Sequence, residues 1–454
     1  MFSQNRLLQH IGYEASQLGY TAYVVGGMVR DAFLYNDDSF VLNIEADVDI
    51  VLTCSESTTR DATDFAHFMQ QTYGGQVTTH QRFRTATWLL DSSAHTALAT
   101  HLSLTADKLP TSIDLITARK EIYPGPAVLP TVQPSFIEDD LARRDFTINT
   151  LAVCLHPAQQ NQLLDLQHGV DDLQAGLVQV LHEQSFNDDP TRIFRAARYE
   201  QRFGFQMGPE TLGYLQTALE TGMVAHLTPA RVRHEFERIF HEEKPEKSLQ
   251  RLADLGVLTA VHSGLRFDEQ IGLALFQLRS QLQDHEKSST FRPPVLTLSQ
   301  NALYWSVWAY RFDESTRIEL QARLLWPKET QQLTDGLAAF SQKLEMLSQP
   351  DLSSSQVVAL LEKVDDMVWS LAALLETDGL TLERLARYAA EWRHVSSELR
   401  GGDLHGLNVP RGPLYAQILR GLRYARLDGK ITSREDEVEW VKRFLEVNLE
   451  VNME

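Results

Sequence analysis

The character of the chain changes once, near residue 157, and that change limits the folds open to it. Before it, short β-branched apolar runs alternate with helical patterns; after it, helical periodicity continues to the C-terminus. TAYVV (21–25) reads as a buried strand that leaves through Gly26-Gly27 into a helix over about 28–35. DVDIVL (47–52) reads as a second strand, a helix follows over about 57–73, and QVTTH, RTATWLL and SIDLITA read as further strands. The stretch 90–112 reads as a surface excursion and is assigned no function. The expected fold class is α+β: an α/β head with one small sheet (1–155), then an all-helical neck (156–240), body (241–350) and tail (351–454). Within the helical part, 191–202, 231–240, 273–282 and 357–375 carry helical periodicity. Breaks fall at Pro229 and over 288–294, 348–355 and 401–413.

Composition narrows the partners. Among 454 residues, 42 Lys+Arg face 61 Asp+Glu, a formal net charge of −19. That argues against a general nucleic-acid binder but leaves room for RNA held in one local basic groove. No apolar run approaches the ~18 residues a bilayer needs, and MFSQNRLLQH has no signal-peptide core, so a cytoplasmic protein without a membrane partner is expected. With only Cys54 and Cys154, neither a disulfide framework nor a cysteine zinc site is expected. The histidines are scattered, with no HD pair and no H-x-x-x-H.

Asp47 and Asp49 stand two apart on a strand, so both point to one face. Upstream, Gly26 and Gly27 allow close approach to the backbone, and the helix start supplies N–H groups for an anion. Arg30 in that first turn is suited to a forked phosphate contact. Paired carboxylates beside a phosphate cradle are what Mg²⁺-assisted chemistry on a nucleotide requires. Taken singly, each piece also reads as a solvated strand end, a tight turn or a surface charge; their order joins them.

Farther on, Asp189 and Pro190 read as N-cap and first residue of a helix. Arg192, Arg195, Arg198 and Arg202 then share roughly a 120° stripe at about 100° per residue. The stripe alone reads equally as the solvated face of an amphipathic helix.

These segments together resemble the class II tRNA nucleotidyltransferases, meaning CCA-adding enzymes and related bacterial poly(A) polymerases. GGMVRD (26–31) with DVDIV (47–51) looks like that family's first motif, and RRDFTIN (143–149) like its second. LLDLQHGVDDLQAGLV (163–178) is similar to its connector, and DDPTRIFRAARYEQRFGF (188–205) to its nucleotide-template segment. GGDLHGLNVPRGPLYAQIL (401–419) resembles a C-terminal element of many members. The chain departs in having Thr150 after Asn149, where alanine is usual, and Asp188 where the template segment usually begins with glutamate.

The resemblance implies an enzyme that adds CCA, or part of it, to the tRNA 3′ end from CTP and ATP with release of pyrophosphate. It implies Asp47 and Asp49 as catalytic Mg²⁺ ligands. Gly26, Gly27, Arg30, Arg144, Asp189, Arg192, Arg195 and Arg198 would lie at the nucleotide, with Asp189 and Arg192 reading the base edge. The partners expected are tRNA, gripped by its acceptor and TΨC arms, with ATP and CTP and without DNA. An A-adding or CC-adding enzyme, a poly(A) polymerase and a non-catalytic RNA-binding protein are the alternatives. Asp114 falls where such enzymes often carry a third acidic residue, and a structural role for it is equally open. RKEIYPGPAVLPTVQPSF (119–136), with Gly125 and four prolines, is expected to be a hinged, non-helical loop that favours A addition. Arg420, Arg423 and Arg426 are expected on an RNA-facing helix of the tail.

Overall fold

Strands whose burial follows their sequence pattern build a seven-stranded mixed sheet at the N-terminal end of the chain. The computed structural model describes residues 5–35, 48–54, 60–159, 162–287 and 294–451. The elements begin α1 (Arg6–Gln17), β1 (Tyr20–Val25), α2 (Gly27–Leu34), β2 (Asp49–Cys54), α3 (Ala62–Tyr73), β3 (Gln76–His80) and β4 (Thr85–Leu89). They continue with α4 (Ser92–Leu102), β5 (Ser112–Thr117), β6 (Arg119–Ile122), β7 (Thr131–Pro134), α5 (Ile137–Ala142), β8 (Ala152–Cys154), β9 (Leu163–Leu164) and α6 (Gly169–Ala175). Then follow α7 (Ser185–Asp188), α8 (Thr191–Phe203), α9 (Pro209–Glu220) and α10 (Pro229–Phe240).

The strand order is β3-β4-β5-β2-β1-β8-β9, with β2 and β5 parallel and the other neighbours antiparallel. Ile50, Val51 and Leu52 are buried in succession, as suits a central strand covered on both faces. Val25, Val51, Ala118, Ile137, Leu141 and Ala152 form one apolar cluster that seats α5 against the sheet. On the far side of the connector, α8 buries Ile193, Phe194, Ala196 and Ala197, and Phe194 meets Phe236 of α10 edge-on at 5.4 Å.

The connector is a clamp. Asp165 accepts the N–H groups of Gly169 (2.7 Å) and Val170 (3.0 Å) at the start of α6. Asp172 accepts Thr147 Oγ1 (2.6 Å) and Gln179 Nε2 (2.9 Å), which pins the turn at 147–149. A Cβ at Gly169 would lie 2.4 Å from the Thr147 carbonyl, so only glycine lets the two backbones meet.

Four expectations are corrected. The 90–112 stretch holds α4, started by Asp91, which accepts the N–H groups of Ser93 and Ala94; it packs against α3 through buried Ala94 and Leu98. Segment 119–136 is no plain loop: β6 and β7 pair as an antiparallel hairpin, with Pro134 at its end, where a missing N–H is tolerated. The single helix expected over 357–375 is two, Ser354–Leu361 and Asp366–Leu375, because Asp365 accepts the Met367 N–H and starts a new helix. A short helix, Gly401–Gly406, lies within the expected 401–413 break. The expected break over 288–294 falls almost wholly outside the described residues.

The chain divides into two compact units, Met1–Arg266 and Phe267–Glu454. The second unit is helical among its described residues, with Trp305 and Trp308 stacked at 5.4 Å in its core. Arg423 donates to Glu362 (3.1 Å) and the Val395 carbonyl (2.9 Å), and Arg426 pairs with Glu437 and Glu398. Two of the three tail arginines expected to face RNA are thus committed internally, and Arg420 is exposed. No helix among the described residues is long and apolar enough to cross a membrane.

Candidate active site

β1 delivers the chain into a turn that only glycine takes without strain. Gly26 has φ +69° and donates its N–H to the Leu151 carbonyl of the neighbouring segment at 3.1 Å. A Cβ there would stand 2.9 Å from Arg144 Nη1. Gly27 opens α2, and Arg30 follows one turn in. Arg30 is 5% exposed and already engaged: Nε and Nη2 meet Asp31 Oδ1 at 2.7 Å, and Nη1 donates to Asn149 Oδ1 at 2.8 Å. Its guanidinium also lies 4.6 Å above the Phe203 ring. In this arrangement it ties α2 to the second motif and to α8.

The second motif is organised by Asp140, which is fully buried within α5. Asp140 Oδ1 accepts Arg143 Nε (3.0 Å), Arg143 Nη2 (2.7 Å) and the Arg119 N–H (3.3 Å), while Oδ2 accepts Arg144 Nη2 (3.1 Å). Burial by itself would raise this carboxyl; Arg143 and Arg144 together hold it below the ordinary carboxylate range. Asp145 behaves alike: burial raises it, and Arg195 (Nε–Oδ2 2.7 Å) and Asn149 (Nδ2–Oδ1 2.9 Å) bring it below normal. The pairing is mutual: burial lowers Arg195, and Asp145, with Tyr199 and Glu235, brings it above its ordinary range.

Helix α8 begins at Thr191, one residue later than its sequence suggests, and Asp189 caps it from the preceding extended backbone. Asp189 Oδ1 accepts the Thr191 N–H (2.9 Å), Thr191 Oγ1 (2.6 Å) and Arg231 Nη2 (2.6 Å). Arg192 donates Nη1 to Ser185 Oγ (2.6 Å) and Nη2 to the Arg143 carbonyl (2.9 Å). Tyr199 presents its ring to Arg30, Arg195, Arg198 and Arg202 at 5.4–5.9 Å, a cation–π hub for one face of the helix.

A cavity of about 580 Å³ joins these parts. It brings together Gly26, Gly27, Arg30, Asp49, Arg144, Asp189, Arg192 and Arg195 from four separate stretches of sequence. Arg198 does not line it; its Nε faces Glu242 Oε1 at 3.6 Å, buried behind the stripe. Asp47 lies outside the described residues. Lining residues the sequence did not single out include Glu121 and Tyr123 of the hairpin, Arg143, Asp145, Asn149, Tyr199, Glu235 and Arg238. Arg143, Asp145 and Asn149 stand inside RRDFTIN, so their signal was present; ARVRHEFERIF of α10 reads only as an amphipathic helix. Burial raises the Glu235 carboxyl above its ordinary range despite Arg238, Arg195 and Arg198 nearby. Guanidinium groups outnumber carboxylates around the cavity, which suits a polyphosphate.

Asp49 is in register with Asp114 on the parallel neighbour β5, where Asp114 Oδ1 accepts Thr87 Oγ1 at 2.6 Å. Among the described residues no group of three His, Cys, Asp or Glu is placed to hold a metal ion. A hard-oxygen donor at the cavity nevertheless fits a Mg²⁺ ion that takes its remaining ligands from substrate phosphates and water.

A family model described as the poly A polymerase head domain matches residues 22–179. One described as a probable RNA and SrmB-binding site of polymerase A matches residues 204–267. An A-adding tRNA nucleotidyltransferase of Halalkalibacterium halodurans is 30% identical over 443 residues, covering 97% of this chain and 92% of that protein. Another A-adding tRNA nucleotidyltransferase, of Geobacter sulfurreducens, is 29% identical over 95% of this chain, which spans 46% of that longer protein. Among solved structures, an apo form of a CCA-adding enzyme superposes with a TM-score of 0.75 at 28% identity, covering 97% of this chain and 95% of the other. The Thermotoga maritima CCA-adding enzyme complexed with tRNA gives 0.68 at 25% identity, with 97% and 95% covered. Head, cavity and relatives agree on the class, a nucleotidyltransferase. The chain belongs to the family of class II CCA-adding enzymes and poly(A) polymerases, whose mechanism implies a divalent metal.

Proposed function

We propose that this enzyme adds the terminal A to a tRNA ending in CC, taking ATP and releasing pyrophosphate. The similarity carrying this reading over full CCA addition is the A-adding Halalkalibacterium relative, aligned along 97% of this chain and 92% of its own. The base readers support it physically. Asp189 Oδ1 is held by Thr191 and Arg231, and Arg192 by Ser185 and the Arg143 carbonyl, which suits one fixed base edge better than two. Adenine offers its exocyclic amino group to the Asp189 carboxylate, and Arg192 supplies donors to a ring nitrogen.

In this reading the RNA 3′-hydroxyl attacks the α-phosphate in line and pyrophosphate leaves. Gly26 and Gly27 admit the phosphates close to the backbone, and Arg144 and Arg195 face their negative charge. Asp47 and Asp49 would hold Mg²⁺, which when bound lowers the charge on the phosphates and favours the ionised hydroxyl. Segments 241–350 and 351–454 would grip the acceptor and TΨC arms by shape and phosphate contacts. Full CCA addition is the second reading, favoured by the CCA-adding structure that superposes over 97% of the chain.

The deciding experiment offers ATP or CTP separately to tRNAs lacking CCA, ending in one C, and ending in CC. Incorporation of A onto the CC end alone is expected. Efficient C addition to either shorter tRNA overturns the A-only reading.

A further inference from the structure

A second, smaller cavity of about 200 Å³ lies at the base of the hairpin, lined by Arg82, Phe83, Arg84 and Arg119 with no carboxylate among its walls. Arg82 and Arg84 are exposed, and among the described residues neither pairs with an acid. In a chain of net charge −19, Arg82 and Arg84 make a local positive site two residues apart. Their presentation is built in. Arg84 sits in the left-handed region (φ +49°, ψ +47°), a conformation that costs a non-glycine residue free energy and persists only where neighbours enforce it. Thr117 enforces it, for its Oγ1 donates to the Arg84 carbonyl at 2.7 Å and its N–H does so at 3.3 Å. The turn places Phe83 beside two cations, with the Arg82 and Arg119 guanidinium groups 5.5 and 5.3 Å from its ring.

This patch connects to the nucleotide cavity through one oxygen. Glu121 Oε1 accepts Arg119 Nη2 at 3.1 Å from one side and Arg143 Nη1 at 3.0 Å from the other. Arg119 Nε is buried without a hydrogen-bond partner.

We propose that the Arg82–Phe83–Arg84 turn with Arg119 binds a single-stranded stretch of the RNA substrate, the arginines meeting backbone phosphates and Phe83 stacking on a base. Arginine beside an aromatic ring is the pairing by which unpaired RNA is held without base readout. Linkage through Glu121 then ties RNA seated on this turn to the arginines of the nucleotide cavity. The inference rests on RNA being the substrate, as the proposed function has it.

The test compares wild type with an Arg82→Ala/Arg84→Ala double variant and with Phe83→Ala, using a labelled tRNA ending in CC. Both arginines are exposed, so the double variant should melt with the wild type; Phe83→Ala is read only if it does too. In the double variant the Kd for tRNA should rise about tenfold at low salt, and the log–log salt slope should flatten by about 1.4 to 1.8, two phosphates' worth. Phe83→Ala should weaken binding at least about fivefold with the slope unchanged. The KM for ATP should stay within about twofold in both. Unchanged tRNA affinity and slope overturn the proposal. So does a result in which inorganic phosphate or ATP loses a second binding site while tRNA binding is unaffected, since the turn would then serve a free anion. Failure of the wild type to extend any tRNA defeats the proposed function alone, because binding is measured independently of transfer.

Discussion

Replacing Asp140 by asparagine probes whether the second motif is held together as the geometry implies. The carboxylate accepts three donors on Oδ1 and one on Oδ2, all within 3.3 Å, and none of it is exposed. Asparagine keeps one acceptor oxygen but turns the other position into an NH₂ donor. Whichever way the amide is set, that donor faces Arg143 or Arg144. Breaking a buried ion pair from one side costs about 3–5 kcal/mol. Here Arg143 keeps Glu121 Oε1 (3.0 Å) and Arg144 keeps the Asn149 carbonyl (3.2 Å), which argues for a smaller loss of about 2–3 kcal/mol. For a unit of this size that is a fall in Tm of about 4–12 °C at pH 7. The pH dependence carries a sign. The carboxyl titrates below its ordinary range in the folded protein, so its stabilisation is complete above the unfolded carboxylate pKa, about 3.9, and disappears as pH falls through the lower folded value. Melting curves of wild type and Asp140→Asn should therefore converge as the solution is acidified below pH ~4. The variant should also raise the KM for ATP at pH 7, because Arg143 and Arg144 line the cavity. Equal melting at pH 7, or a gap that persists undiminished into acid, would refute the assignment of Asp140 as the organising anion.

Gly26→Ala should cost about 1–3 kcal/mol, because alanine is strained at φ +69°, ψ −129° and its Cβ displaces Arg144; thermal melts and kcat/KM for ATP should fall together. Asp49→Ala should lower nucleotide incorporation by about 10²-fold or more while leaving the melt unchanged; near wild-type turnover would remove Asp49 from the chemistry. Asp189→Ala and Arg192→Ala should each relax the choice of ATP over CTP, GTP and UTP by about 1–3 kcal/mol, read as ratios of kcat/KM. A uniform loss with selectivity intact would make the start of α8 a cap and nothing more.

The sequence by itself determined the features that local periodicity and short-range sterics encode. Alternating β-branched runs specified an α/β head, a 100° period specified α8 with its arginine stripe, and Gly26 marked the turn where φ must be positive. Tertiary structure alone decided what each charge does, because a guanidinium's partner is set by what the fold brings within 3 Å and not by its spacing in the chain. Arg30 and Asn149 are 119 residues apart in sequence, and no local pattern announces that they meet. Arg198 shares its helix face with Arg195, yet its Nε faces Glu242 and it does not line the cavity. Arg231, on a helix that reads as ordinary amphipathic sequence, reaches Asp189 only because α10 packs across α8. The same holds for α4: its Ala and Leu positions make a weak helical signal, and burial of Ala94 and Leu98 against α3 stabilises it where local propensity is insufficient.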